Sequence, residues 1–122
     1  MKKIIIAEDD NFLANAYRFK LTKSGYEIKI TGDGVETLAA LHAQKPDLLI
    51  LDLVMPKKDG FMVLGEMKKD PNLAHLPVIV ASNLMQKEDI DKAMALGATD
   101  YVVKSDLSLN QLIEKIKKAV GE

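Results

Sequence analysis

The sequence predicts an α/β fold, an open and doubly wound parallel sheet of five strands covered by five helices. Short runs rich in Ile, Val and Leu alternate along the chain with longer amphipathic stretches. The short runs also lack the strict apolar–polar alternation of a half-exposed strand, which indicates strands buried on both faces. These runs are residues 4–7, 26–30, 48–51, 78–81 and 101–103. Five strands are too few for an eightfold barrel, so we expect the sheet to be open.

The first two helices have clear start and stop signals. The first is expected over about residues 11–24, with Gly25 as its C-terminal stop. The second opens at Asp33, where Glu36 stands at the spacing of a capping box. It ends before Pro46, which biases the preceding residue away from helical conformation. The apolar face of the first helix is Leu13, Tyr17 and Leu21.

Apolar spacing and stop signals also place the other three helices. The third ends near Asp70 and Pro71, and the fourth ends at Gly97. The fifth begins at Ser108, with Gln111 at the capping-box position. Their apolar residues are Phe61, Leu64 and Met67 in the third helix, Ile90, Ala93, Met94 and Leu96 in the fourth, and Leu109, Leu112, Ile116 and Ala119 in the fifth. Helices between successive strands are the crossovers that a parallel sheet requires.

Length and composition point to one compact domain that spans residues 1–122. A net charge of −1 and a pI near 6.1 give no electrostatic footprint for nucleic acid or for an anionic membrane. The chain has no Cys, which excludes disulfides and thiolate metal sites. The N-terminal apolar run ends at Glu8, too soon for a signal peptide, and no run approaches the roughly 20 residues of a membrane span. We therefore expect a soluble, cytoplasmic protein.

Polar and charged residues that could take part in chemistry directly follow several of the predicted strands. Asp52 comes directly after a buried apolar strand, where a carboxylate needs a cation partner or an open sheet edge. In open parallel sheets, ligands bind beyond the carboxyl ends of the strands, which meet at one edge. The residues in question are Glu8, Asp9 and Asp10 after the first strand, Asp52 after the third, Ser82 and Asn83 after the fourth, and Lys104 and Ser105 after the fifth.

Carboxylates that converge at this edge would repel each other and raise each other's pKa values. A hard divalent cation resolves the repulsion, and carboxylates with a backbone carbonyl and waters suit Mg²⁺. The hydroxyl of Ser82 and the ammonium of Lys104 are the types of group that bind phosphoryl oxygens. Because a carboxylate can accept a phosphoryl group, Asp52 is a candidate acceptor.

These residues together resemble the receiver domain of bacterial two-component response regulators. The resemblance covers residues 3–120, and its specificity comes from the joint occurrence of several short motifs in this order. The motifs are Asp52-Leu53-Val54-Met55-Pro56 with Asp59-Gly60, the pair Glu8-Asp9, and the single residues Ser82, Tyr101 and Lys104. The resemblance implies a flavodoxin-like, CheY-like sheet with strand order 2-1-3-4-5.

The resemblance also implies roles at the site. Asp52 would be the phospho-acceptor, taking the phosphoryl group from a histidine kinase or from a small phosphodonor. Asp9, Asp52 and the backbone carbonyl of Val54 would ligate Mg²⁺, while Glu8 would act through water. Lys104 would pair with Asp52 and later with the phosphoryl group.

A switch is implied as well. Ser82 would move to bond a phosphoryl oxygen and Tyr101 would rotate inward, reshaping the surface of the fourth helix, fifth strand and fifth helix. We therefore expect a stand-alone response regulator that signals by protein–protein contact. It would act catalytically only on its own Asp52. Its partners would be a histidine kinase or phosphotransfer protein and an unidentified downstream protein, and it would be a monomer or weak dimer.

Four positions depart from the family pattern. Ser105 stands where the family most often has Pro, commonly after a cis bond. A cis bond before Ser105 would cost about 2.5–4 kcal/mol, so we expect either a trans bond with a shifted loop or a strained cis bond. Asn83 replaces Ala or Gly, and either narrows the approach to Asp52 or bonds the phosphoryl group. Val54 and Leu84 are apolar and cannot orient water, which predicts a comparatively long-lived phospho-Asp52.

Other functions stay open on the sequence alone. A pseudo-receiver would bind its partner without phosphorylation, and the departures at Asn83 and Ser105 leave room for it. A phosphatase or phosphotransferase with an aspartyl nucleophile usually needs a second Asp two residues further on, where this chain has Val54. The chain is also compatible with a fragment of a longer regulator.

Overall fold

The computed structural model describes residues 1–121, which form a five-stranded parallel sheet between two layers of helices. The strand order is β2-β1-β3-β4-β5, with all neighbours parallel. This order confirms the predicted flavodoxin-like topology. The strands are β1 (Lys3–Ala7), β2 (Glu27–Thr31), β3 (Leu48–Leu51), β4 (Val78–Ser82) and β5 (Asp100–Val103).

Five α-helices alternate with the strands, as predicted. Four of them begin at a polar residue whose side chain accepts the backbone N–H three residues further on. These N-cap residues are Asp10, Asp33, Asp59 and Ser108. The helices are α1 (Asn11–Lys23), α2 (Gly34–Ala43), α3 (Gly60–Lys69), α4 (Lys87–Ala95) and α5 (Leu109–Ala119), and a 3₁₀ turn covers Lys104–Asp106. Within residues 1–121, no helix is long and apolar enough to cross a membrane.

Some details of the helices differ from the sequence prediction. The capping box of α5 is confirmed, but in α2 the Glu36 side chain accepts the N–H of Gly32, one residue before the expected partner. Met94 is 42% exposed, and Ala93 is the one residue of the short helix α4 that is buried. Leu109 and Ala119 are half-buried at the two ends of α5, and the buried set in its middle includes Ile113.

The core has two halves, one on each face of the sheet. Alternate residues of a strand point to opposite faces, so Leu49 and Leu51 pack with α2, α3 and α4, whereas Leu48 and Ile50 pack with α1 and α5. Both faces are therefore apolar, which explains the unbroken hydrophobic runs in the sequence. The parallel arrangement also brings the carboxyl ends of β1, β3, β4 and β5 to the same edge.

Candidate functional site

Three carboxylates converge at the carboxyl edge of the sheet. Glu8 and Asp9 follow β1, and Asp52 follows the adjacent β3. One carboxylate oxygen from each residue lies within 4.8 Å of the others, so the group is able to hold a metal ion. Glu8 and Asp52 are buried, with 3% and 7% exposure, while Asp9 faces solvent. This acidic cluster is the convergence that the sequence predicted.

Lys104 joins the two buried carboxylates. Its Nζ donates to Asp52 Oδ2 at 3.1 Å and also to Glu8 Oε1. Its side chain is only 13% exposed. Three carboxylates thus face one ammonium, which leaves two formal negative charges and favours a further cation.

Burial and charge act in opposite directions at this site. Burial raises the pKa of Glu8, although the hydrogen bond from Lys104 lowers it in part. Burial also tends to lower the pKa of Lys104. The hydrogen bond to Glu8 and the charges of Asp52 and Glu8 together outweigh that effect, so the pKa of Lys104 lies above its ordinary value. Lys104 is therefore charged at neutral pH.

The Asp52 carboxylate is fixed at both oxygens. The backbone N–H of Asp52 donates to the carbonyl of Ala7 at 3.0 Å, which continues the β1–β3 pairing by one residue. Oδ1 accepts the N–H of Val54 at 3.3 Å, and Oδ2 accepts Lys104. Val54 lies in the β3–α3 loop (residues 52–59) and is 60% exposed.

Ser82 and Tyr101 both contact Leu84, the residue two positions after β4. The fully buried hydroxyl of Ser82 accepts the N–H of Leu84 at 3.2 Å. The hydroxyl of Tyr101 donates to the carbonyl of Leu84 at 2.6 Å. Burial raises the pKa of Tyr101, partly offset by a hydrogen bond with Ser82. The sequence pointed to Leu84 only as an apolar side chain, because hydrogen bonds to its backbone leave no sequence signal.

Two of the four departures from the family pattern, Ser105 and Asn83, are accommodated without a cis bond or a buried side chain. All peptide bonds between residues 1 and 121 are trans, including the bond before Ser105, so the cis alternative is wrong. Lys104 nevertheless reaches both buried carboxylates from its 3₁₀ turn. Asn83 is exposed.

Tyr17 is a neighbour of the site that the sequence assigned only to a helix face. Its ring lines a cavity of about 110 Å³ together with Lys104 and residues of α5. Burial raises the pKa of Tyr17, and the charges of Lys104, Glu8 and Asp52 also act on it. The periodicity of α1 predicted that Tyr17 is buried, but not its proximity to the cluster.

Comparison with known proteins identifies response regulators as the relatives of this chain. The family model of the response regulator receiver domain matches residues 4–117. The polar-differentiation response regulator DivK of Brucella anthropi is 31% identical over 121 residues, covering 99% of this chain and 98% of DivK.

Two solved structures are similar in both sequence and fold. The phosphorylated cyanobacterial phytochrome response regulator RcpA is 36% identical, with a TM-score of 0.84 over 96% of this chain and 89% of that chain. The Mn²⁺-bound response regulator Rcp1 is 31% identical, with a TM-score of 0.81 over 99% and 91%. Other curated relatives are longer transcriptional regulators, of whose length this chain spans 39–43%.

Proposed function

The chain belongs to the response regulator receiver family of two-component signalling, and from this we propose that Asp52 accepts a phosphoryl group in a Mg²⁺-dependent reaction. One observation carries the proposal. The Asp52 carboxylate lies 3.1 Å from the Lys104 ammonium and shares an acidic cluster with Glu8 and Asp9. A carboxylate held between a cation and a metal-binding cluster is suited to phosphoryl transfer, which depends mainly on positioning and charge neutralisation.

In the proposed reaction, an Asp52 oxygen attacks the phosphorus of a phosphohistidine or of a small phosphodonor. An O–P bond forms as the bond from phosphorus to the leaving group breaks, and the leaving group keeps the electron pair. Lys104 offsets the charge on the phosphoryl oxygens, because its ammonium is already within hydrogen-bond distance of Asp52.

The residues present fit a hard divalent cation. Asp9 and Asp52 would hold Mg²⁺ directly with the carbonyl of Val54. Glu8 would act through water, as the family resemblance implies, and its two oxygens accept hydrogen bonds from Lys104 and from the N–H of Asp10. When bound, Mg²⁺ would neutralise negative charge on the phosphoryl group. The Mn²⁺-bound state of the similar Rcp1 supports the binding of a divalent cation.

We also propose that Ser82 and Tyr101 form the switch. The Ser82 hydroxyl, which now accepts the N–H of Leu84, would move to donate to a phosphoryl oxygen. Tyr101 would rotate inward from its bond to the Leu84 carbonyl. Because both side chains bond the same residue, the β4–α4 loop would change together with them. The surface formed by α4, β5 and α5 would then present a different face to a target protein.

The proposed cellular role is that of a stand-alone, cytoplasmic response regulator made of one domain, residues 1–122. The coverage of nearly all of DivK supports this role, whereas the longer relatives carry additional sequence. It would receive its phosphoryl group from a histidine kinase or phosphotransfer protein and signal to a downstream protein, as a monomer or weak dimer. It would not bind nucleic acid or membranes, and would not turn over an external substrate.

The test is phosphorylation by acetyl phosphate or phosphoramidate with Mg²⁺, followed by intact mass. We expect one added phosphoryl group, lost in Asp52→Ala and in EDTA. Asp47→Ala is the matched control, since Asp47 precedes β3 at the opposite end of the same strand and should not affect labelling. An unlabelled wild-type protein would instead favour the pseudo-receiver.

A further inference from the structure

The first turn of α2 is in direct contact with the backbone of the β3–α3 loop. Gly34 is buried there, and its N–H donates to the carbonyl of Pro56 at 3.5 Å. A Cβ atom on Gly34 would lie 2.1 Å from the carbonyl oxygen of Lys58 and 2.5 Å from the Lys58 Cβ. The φ angle of Gly34 is not positive, so glycine is needed for space rather than for backbone conformation.

The same loop is held at two further points. The carboxylate of Asp33 lies 3.6 Å from the Nζ of Lys57, whose φ of 68° marks a tight turn. At the base of the loop, the N–H of Gly60 donates to the carbonyl of Leu53 at 2.9 Å. A Cβ on Gly60 would lie 2.4 Å from the carbonyl oxygen of Asp52. The loop therefore lies in close contact with the start of α2 on one side and with the start of α3 on the other.

The start of α2 is anchored more firmly than the loop. The hydroxyls of Thr31 and Thr37 are 2.7 Å apart, and both side chains are buried. The Thr37 hydroxyl also donates to the carbonyl of Asp33 at 2.7 Å, and its bond with Thr31 ties the first turn of α2 to the end of β2. A new side chain at Gly34 would therefore displace the loop rather than the helix, because Val54, Pro56 and Lys57 of the loop are exposed.

We propose that Gly34 is a positioning residue for the metal and phosphoryl site, acting through the β3–α3 loop. The inference rests on the proposed function, in which the Val54 carbonyl of that loop is a metal ligand. A Cβ at Gly34 has to move away from the Lys58 oxygen by at least about 1.3 Å to reach ordinary van der Waals contact. A displacement of that size in a short loop shifts the Val54 carbonyl, and sites of this kind tolerate little displacement.

The experiment compares Gly34→Ala with Gly32→Ala, using Mn²⁺ alone as the probe. Gly32 is two residues away, and a Cβ there meets nothing within 4 Å. Mn²⁺ affinity is obtained from the electron paramagnetic resonance signal of the free ion. Gly34→Ala should bind Mn²⁺ about ten-fold more weakly than the wild type, which is the typical effect of changing a residue that orients a metal ligand. Gly32→Ala should bind like the wild type. Equal Mn²⁺ affinity in all three proteins would overturn the proposal.

A second readout does not depend on the metal. In the metal-free protein, Gly34→Ala should shift the amide resonances of residues 53–55, 57 and 58, and Gly32→Ala should leave them in place. If the wild type binds no Mn²⁺ through Asp52, the proposed function fails, while the resonances still report whether Gly34 positions the loop. Unshifted loop resonances in Gly34→Ala would refute the positioning role by themselves.

If Gly34→Ala does not fold, Lys58→Gly tests the same contact from the loop side. It removes the Cβ that faces Gly34 and frees the backbone of the loop, so Mn²⁺ binding should weaken at least about two-fold. Glu66→Gln is its control, because Lys58→Gly also removes the 2.7 Å ion pair with Glu66. Unchanged binding in Lys58→Gly, or an equal loss in Glu66→Gln, would count against the proposal.

Discussion

Replacing Lys104 with Met should destabilise the protein strongly in the absence of divalent metal. Among the described residues, Lys104 is the cation bonded to both Glu8 and Asp52, which are 3% and 7% exposed. Met keeps most of the apolar stem of Lys and removes only the charged end. The substitution therefore leaves two buried carboxylates without their partner.

The size of the effect follows from the geometry of the site. Breaking a buried ion pair by removing one partner costs about 3–5 kcal/mol. We expect about 3 kcal/mol, the lower end of that range, because the cluster is open to water on the side of Asp9. With a urea m-value of about 2 kcal/mol/M, the unfolding midpoint should fall by about 1.5 M.

The assay is urea unfolding followed by circular dichroism, with EDTA present. Lys87→Met is the matched control, since its ion pair with Asp91 is exposed on both sides and its loss should change the midpoint little. The destabilisation should also shrink as the pH falls. Without Lys104, the pKa of Glu8 rises further above its unfolded value, and such a group favours folding below the unfolded pKa and loses that contribution as the pH rises.

Two results would refute this reasoning. One is a midpoint for Lys104→Met no lower than that of Lys87→Met. The other is a destabilisation that stays constant from neutral pH down to pH about 4.5, since it would mean that buried carboxylate charge is not the cause.

Three further predictions concern the metal, the phosphoryl lifetime and a helix cap. Mg²⁺ at ten times its dissociation constant should raise the free energy of unfolding by about 1.4 kcal/mol in urea titrations, and the gain should vanish in Asp52→Ala. Val54→Asn combined with Leu84→Glu should speed the loss of phosphate, followed by mass after donor removal; an unchanged decay rate would contradict the predicted long lifetime. Ser108→Ala should lower the free energy of unfolding by about 1 kcal/mol, because its hydroxyl caps α5, whereas Ser105→Ala, which caps no helix, should have little effect.

The parts of the fold that follow from local chemistry were predictable. The run at Leu48–Leu51 is buried on both faces, so its hydrophobicity alone identifies a strand. The cap at Ser108 depends on residues three apart and was confirmed. The exposure of Met94 was not predictable, because it depends on how closely α3 and β5 cover the short helix α4, and that is a property of the tertiary packing.

The site divides in the same way. Glu8, Asp9 and Asp52 converge because parallel strands end at one edge, and the sequence is enough to show that. The bond from Lys104 to Glu8 was not predicted, since the reach of a lysine depends on the 3₁₀ turn that carries it. The bond between Tyr101 and the carbonyl of Leu84 is similar, because an acceptor in the backbone is independent of residue type.

The sharing of one ammonium between Glu8 and Asp52 has a consequence for the proposed switch. Phosphorylation adds negative charge on the Asp52 side, so Lys104 should be drawn toward the phosphoryl group and away from Glu8. Glu8 is buried, and a buried carboxylate without a partner is costly unless it takes up a proton or lies near another cation. A divalent ion beside Asp9 meets that requirement. On this argument the metal serves the phosphorylated state twice, by neutralising the phosphoryl oxygens and by replacing Lys104 as the neighbouring positive charge for Glu8.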